Sequence, residues 1–212
     1  MDVRMFTVGP IQENCFLFRR DGSDRALIVD PGDEAERLVA AIEELGAQLD
    51  GILLTHTHFD HVGAVAPLAK ATGAEVWVPE IEKGVLADID SYVPWAEFGP
   101  YESWDAEHTV TGGERLDLAG FEIDVLFTPG HSPGHVTYWV RDEDAVFSGD
   151  VLFQGSVGRT DLPGGDASVL METLRTLAET LPDETVVHPG HMGITTIGAE
   201  RASNPFLVPF AS

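Results

Sequence analysis

The sequence is poor in cysteine and in positive charge. Its 212 residues include one cysteine, Cys15, and two lysines, Lys70 and Lys83. A lone cysteine excludes an intrachain disulfide, which suits a reducing cytoplasm. Cys15 opens "CFLFRR", a strand-like run, and is expected to be a small buried hydrophobe. The arginines are scattered, and the formal net charge is −24. A chain of this sign repels phosphate backbones and has no basic patch to offset it, so nucleic acid is not an expected partner. The acidic excess reads mainly as a solubility feature. Apolar runs stay well short of the roughly 20 residues a membrane span needs. The opening "MDVRMFTVGP" lacks a basic start followed by an apolar stretch, so no secretory leader is expected. Linkers, low-complexity runs and repeats are also lacking. Residues 1–212 therefore read as one soluble, cytoplasmic domain.

What is present alternates between strand and helix patterns. "ALIVD" (26–30), "GILLT" (51–55) and "EVWVP" (75–79) read as strands. Asp33 is positioned to cap a helix through Leu45, and "VGAVAPLAKATG" (62–73) reads as another helix. "RLDLAGFEIDVLFTPG" and "VTYWVRDEDAVFSGD" each suggest a hairpin. Asp166 can cap a helix through Leu181, and "TVVHPGH" gives a last strand and loop. Interleaved helices and hairpins predict an α/β protein with mixed sheets.

The histidines are unevenly spent. "THTHFDH" (55–61) holds three of the eight in the chain, with Asp60 among them. His56 and His58, two apart in extended backbone, point to one side. Asp60 and His61 follow where the chain turns into a helix, so they face a second point. His131, Asp150 and His191 each fall just after an apolar strand, in loops containing Gly or Pro. Strand ends of this kind are where α/β proteins place active sites. Imidazole and carboxylate donors suit Zn²⁺ or Fe, and a carboxylate has two oxygens with which to bridge. Two divalent ions, two carboxylates and a hydroxide would leave a charge of about +1, attractive to an anionic tetrahedral intermediate. The bland alternative, a solvated loop, explains "THTHFDH" alone but not the three further residues.

"THTHFDHVG", "TPGHSPGH", "FSGDVLF" and "PGHMG", in that order, resemble the motifs of the metallo-β-lactamase superfamily over nearly the whole chain. The resemblance implies a four-layer αββα sandwich with metals at one edge. It implies that His56, His58 and His131 hold one metal, that Asp60, His61 and His191 hold a second, and that Asp150 bridges. Two divalent ions are implied, Zn²⁺ first, with Fe, Mn²⁺ or a mixed pair also suited. Metallo-β-lactamases proper usually have Cys or Ser where this chain has Asp150. "GPIQENCFLF", "VGRTDLPGGD" and "TTIGAERASNPF" are similar to short, single-domain glyoxalase II-like proteins. The implied reaction is thioester hydrolysis, of S-D-lactoylglutathione or a related acyl thioester, by a metal-bound hydroxide that Asp60 orients. Arg159 matches a basic residue that contacts glutathione, but a tyrosine of the same contact set is replaced by Asp161. The helical domain with which full-length members hold glutathione is not expected in residues 1–212. A mononuclear-iron persulfide dioxygenase, which shares the "GRTD" motif, is the alternative enzyme, and a non-catalytic metal-binding protein is the alternative of another class.

Other residues carry more local expectations. His135 should be bonded to a hydroxyl or support a ligand, His188 should be structural, and His108 should lie on the surface. Asp30 should brace a ligand imidazole or form a turn. Arg159 should bind an anion or pair with Asp161. Tyr92, Trp95, Phe98, Tyr101 and Trp104 recur at steps of three, but Pro94 and Gly99–Pro100 argue against one helix. That segment is expected to be a loop laid over the core, a lid or a dimer contact.

Overall fold

The computed structural model describes residues 1–93, 95 and 97–208. Pro94, invoked above as a helix breaker, lies outside the described residues, as do 209–212 of the expected 1–212 domain. The chain divides into two compact units, Met1–Val110 with Asp117–Phe121, and Thr111–Leu116 with Glu122–Ser212.

The first unit is built from β1 (Asp2–Val8), β2 (Glu13–Arg19), β3 (Arg25–Val29), α1 (Ala35–Glu44), β4 (Gln48–Leu53), α2 (Phe59–Val62), α3 (Val65–Thr72), β5 (Glu75–Pro79), α4 (Lys83–Leu86) and β6 (His108–Val110). Its sheet runs β1-β2-β3-β4-β5-β6. The pairs β1–β2 and β2–β3 are antiparallel, while β3–β4, β4–β5 and β5–β6 are parallel. Alternate residues Leu17, Ile28, Ile52 and Val76 join Leu38, Ile42, Val65 and Leu68 of the helices in one apolar cluster. Phe16, Phe18, Leu27, Leu53 and Trp77, on the opposite pleat, are buried as well. Both faces are therefore covered, which explains why the parallel strands read as unbroken apolar runs. Cys15 lies in the same cluster, as expected, and burial pushes its thiol pKa up.

The second unit continues with β7 (Arg115–Leu118) and β8 (Phe121–Phe127), whose residues 117–118 and 121 group with the first unit, and then with β9 (Val136–Val140), β10 (Ala145–Gly149), β11 (Leu152–Phe153), β12 (Ser156–Val157), α5 (Ala167–Thr180), β13 (Val186–Pro189), β14 (Thr195–Thr196) and α6 (Ile197–Ser203). Its main sheet runs β14-β13-β10-β9-β8-β7, with β10 and β13 parallel. Both expected hairpins form. Asp166 caps α5 by accepting from the amides of Ser168 and Val169. Leu170, Leu174, Leu177 and Leu181 pack with Val146, Val187 and Ile197.

Two helix expectations needed correction. Asp33 does not cap α1: the cap position is Glu34, at φ 56, and no side chain caps it. The Asp33 carboxylate instead accepts the Glu34 amide at 2.6 Å. The helix expected over 62–73 starts earlier, at Phe59, and is broken after Val62. The break has a hydrogen-bond cause: the Ala64 amide donates to the Pro31 carbonyl at 3.0 Å instead of continuing the helical ladder.

His188 is buried and stacked on Phe147 with ring centroids 5.0 Å apart, so its expected structural role holds. Burial lowers its pKa from 6.5 to about 4. The unfolded chain thus takes up a proton that the folded chain refuses. Stability from this residue is full above the unfolded value and is lost as pH falls from 6.5 toward 4. The loss should total about 3 kcal/mol. His188→Gln should flatten the acid limb of a plot of urea midpoint against pH. Profiles of the two proteins that stay parallel across this window would contradict the assignment.

Candidate metal centre

In the first unit the motif "THTHFDH" leaves the C-terminal end of β4 and enters α2. Asp30, at the end of β3, organises it from below. Asp30 Oδ1 accepts the Thr55 amide at 2.7 Å, and Oδ2 accepts the Thr55 hydroxyl at 2.6 Å and His61 Nδ1 at 3.1 Å. These bonds have directions that fix the imidazoles. A carboxylate only accepts, so His61 Nδ1 carries the proton and Nε2 keeps its lone pair. The Thr55 hydroxyl spends its proton on Asp30, so it accepts from His56 Nδ1 at 3.0 Å. His56 Nε2 is then also a lone-pair nitrogen, and it lies 3.1 Å from His58 Nδ1. Asp60 Oδ2 lies 3.8 Å from His61 Nε2. The structure thus places His56 beside His58 and Asp60 beside His61. Asp30, His56 and His61 also cluster, but Asp30 has given both oxygens to Thr55 and His61. It braces Thr55 and the His61 imidazole, one of the two roles the sequence left open for it.

Three supports in this unit were not read from the sequence. Glu82 is buried and accepts both the amide and the hydroxyl of Thr57, at 2.7 and 2.9 Å, pinning the residue between His56 and His58. Glu13 is buried, with Oε1 3.7 Å from His61 Nδ1. Phe59 stacks on Phe98 at 4.9 Å and has Trp95 and Tyr101 at 6.0 Å. The aromatic segment is therefore laid over the core, on the one apolar side chain inside the motif. No local pattern around Glu13 or Glu82 announces either role, because both act across more than twenty residues.

In the second unit the residues come from the ends of β8, β10 and β13. His131 Nδ1 donates to the Arg159 carbonyl at 2.7 Å, which leaves Nε2 unprotonated. That nitrogen is 3.5 Å from Asp150 Oδ2, and His191 Nε2 is also 3.5 Å from the same oxygen. His131, Asp150 and His191 are thus gathered with Asp150 in the middle. His135 is hydroxyl-bonded, as expected: its Nδ1 is 2.9 Å from Thr128 Oγ1. The Arg159 side chain does not face an open anion slot. It forks onto Asp161 at 2.6 and 2.8 Å, and the Arg159 guanidinium lowers the Asp161 pKa to about 2. His108 is half-exposed, stacked on Trp77 and bonded to Glu75 at 2.7 Å, consistent with a surface role.

The residues following the second set are anchored by α6. Buried Glu200 accepts the Gly155 amide at 2.8 Å and the Thr195 hydroxyl at 2.6 Å. Asn204 Nδ2 donates to the Ser156 carbonyl at 3.0 Å and to Glu200 at 2.8 Å. This accounts for "TTIGAERASNPF": its polar residues hold the β11–β12 hairpin, which leads to the Arg159 carbonyl.

The donor chemistry fits metal ions. His56, His61 and His131 each turn a lone pair, not a proton, inward, and on His131 it faces a carboxylate oxygen. Imidazole lone pairs and carboxylate oxygens are the donors that such cations take. No cysteine is among these residues, so the set suits Zn²⁺, Fe or Mn²⁺.

The family model for the metallo-β-lactamase superfamily matches residues 8–191, and the chain belongs to that superfamily. Its fold is the metallo-β-lactamase fold, an α/β sandwich with mixed sheets, and it is a metal-dependent hydrolase. Among curated relatives it is 40% identical over 220 residues to the hydroxyacylglutathione hydrolase GloC of Haemophilus influenzae, covering 98% of each chain. Among solved structures it matches the BLEG-1 B3 metallo-β-lactamase with a TM-score of 0.91 and 38% identity, covering 97% of this chain and 99% of that one. It matches TTHA1623 in a di-iron-bound form with a TM-score of 0.86 and 43% identity, covering 97% and 100%. No helix among the described residues is long and apolar enough to cross a membrane.

Two glycines are required by close approach. A Cβ on Gly32 would sit 1.7 Å from the Asp60 carbonyl oxygen and 2.8 Å from Glu13 Oε2. One on Gly158 would sit 1.8 Å from the Asp150 carbonyl oxygen and 3.1 Å from His131 Nδ1. Gly32→Ala and Gly158→Ala should each lower bound metal per chain well below wild type, whereas Gly84→Ala, where nothing lies within 4 Å, should not. Equal metal content in all three would show that these contacts yield without disturbing the ligands.

Proposed function

We propose that the two sets act as one dinuclear centre and that the protein hydrolyses acyl thioesters, with S-D-lactoylglutathione or a close relative as substrate. In this reading His56, His58 and His131 would hold one ion, Asp60, His61 and His191 would hold the other, and Asp150 would serve both. The observation that carries it is the position of Asp150, one of whose oxygens is equidistant, at 3.5 Å, from His131 Nε2 and His191 Nε2. The ions would supply Lewis-acid charge and a water acidified toward a pKa of about 7.

The chain's own residues supply the rest. Asp30, Thr55 and the Arg159 carbonyl keep the imidazoles in the tautomer that faces inward. The Asp60 side chain, 15% exposed, is placed to accept a hydrogen bond from the attacking water and set its direction. Attack on the thioester carbonyl expels a thiolate, whose conjugate acid has a pKa of about 8.5. Departure therefore needs no strong protein acid. The GloC relative supports the thioester reading, and the di-iron-bound neighbour supports two metals. A β-lactam would be the competing substrate, as the BLEG-1 neighbour suggests.

Arg159 would bind a carboxylate of the thiol part only by leaving Asp161. That exchange is available because the pair is exposed and screened by solvent. Arg159→Ala should raise KM for a glutathione thioester more than it lowers kcat, and Asp161→Asn should lower KM. If neither variant moves KM, Arg159 is structural or the thiol is not glutathione.

Metal-loaded protein should bind two ions per chain and release thiol from S-D-lactoylglutathione or a related thioester without taking up oxygen. It should leave a chromogenic cephalosporin intact. Saturation at one ion, with oxygen uptake on glutathione persulfide, would replace this reading by the dioxygenase one. Metal binding with no turnover of thioester, persulfide or cephalosporin would favour a non-catalytic metal protein.

A further inference from the structure

We infer that His135 is a positioning residue that sets the Asp150 carboxylate by holding the Asp150 backbone, and that it does so in one tautomer chosen by Thr128. The inference rests on reading Asp150 as a metal ligand. His135 Nε2 accepts the Asp150 amide at 3.1 Å. An amide N–H only donates, so Nε2 is unprotonated and the imidazole proton sits on Nδ1. It is donated to Thr128 Oγ1 at 2.9 Å, and Thr128 Oγ1 in turn lies 3.1 Å from Thr137 Oγ1. His135, Thr128 and Thr137 are all buried, so water does not readily substitute for any of these bonds. The relay thus starts at two threonine hydroxyls on β9 and the end of β8 and finishes at the backbone of the bridging carboxylate. Asp150 stands in a turn after Gly149 (φ 47), so its backbone is not held by regular strand pairing on its own.

This role differs from that of a ligand. Both imidazole nitrogens of His135 are committed, one to an amide and one to a hydroxyl, and neither is offered to a metal. It also differs from that of a packed core histidine, because the hydrogen-bond directions matter as well as the volume. With the proton on the other nitrogen, two N–H groups would face each other at 3.1 Å and push Asp150 out of place.

The test exploits the shapes of the two amide side chains. Glutamine places its carbonyl oxygen near the position of Nε2 and can accept the Asp150 amide. Asparagine reaches only to the level of Nδ1, keeping Thr128 and losing Asp150. Zinc affinity is measured by competition with a chromogenic chelator, alongside the absorption spectrum of the cobalt-substituted protein. His135→Asn should weaken zinc binding by about 10- to 100-fold, as loss of a support behind a ligand typically does, and should alter the cobalt spectrum. His135→Gln should stay within about threefold of wild type and keep the spectrum. Equal losses in the two variants, or full affinity in His135→Asn, would overturn the inference. Should His135→Asn fail to fold, the hydroxyl decides: Thr128→Ser should keep zinc affinity and Thr128→Val should lose it, and equality of these two would overturn the inference. Asp150→Asn, measured in parallel, separates the inference from its premise. If Asp150→Asn binds zinc as wild type does, Asp150 is not a ligand and both fall together.

Discussion

A buried imidazole can give a lone pair from only one nitrogen, and the partner of the other nitrogen decides which. The candidate centre depends on that constraint. His61 is fixed by Asp30, His56 by Thr55 acting through Asp30, and His131 by the Arg159 carbonyl. In each case the partner either cannot donate or has already spent its proton. The inward nitrogens are therefore unprotonated because of the hydrogen-bond geometry of the fold, before any ion arrives. This is preorganisation in its simplest form: the cost of orienting the ligands is met during folding.

The sheets determine where those partners can be. Strands β3 and β4 are parallel neighbours, so Asp30 at the end of one stands beside Thr55 at the end of the other. A parallel sheet exposes the ends of adjacent strands at one edge, and polar side chains there can bond one another without breaking the ladder. The same logic holds in the second unit, where parallel β10 and β13 deliver Asp150 and His191 side by side. Between these fixed points the chain must pass very close to itself, and glycine at 32 and 158 is the consequence.

Legibility in the sequence followed distance along the chain. The ligand-type residues stood out because "THTHFDH" is dense and because the others end apolar runs. The strands were readable for the same reason, and the Asp166 cap was readable because its partners are two and three residues away. The failures came where a distant group redirects a local pattern. The helix over 62–73 broke because the Pro31 carbonyl captures the Ala64 amide. Glu82 and Glu13 were not singled out, since nothing nearby in the sequence points to Thr57 or His61 as their partners. Strand β1 was missed because its half-exposed residues give it little apolar signal. Only the fold shows that Phe59, inside the motif, is received by the aromatics of the 92–104 segment.

The charge of the chain takes on a second meaning in this light. A net charge of −24 serves solubility, yet Glu13, Asp30, Glu82, Asp150 and Glu200 are buried. Burying a carboxylate is costly unless donors surround it. Glu82 and Glu200 have theirs, in hydroxyls and amides that the fold provides. Asp150 Oδ2 lies 3.5 Å from two imidazole nitrogens, those of His131 and His191. Asp30 is answered by the Thr55 amide and hydroxyl and by His61 Nδ1, and Glu13 lies 3.7 Å from the same nitrogen. In each unit carboxylates lie beside imidazole nitrogens, a donor set that suits divalent ions. Ions that bind the folded form and not the unfolded one stabilise the fold by mass action. On the dinuclear reading, the arrangement that would prepare a metal for chemistry would therefore also tie the stability of the folded chain to that metal.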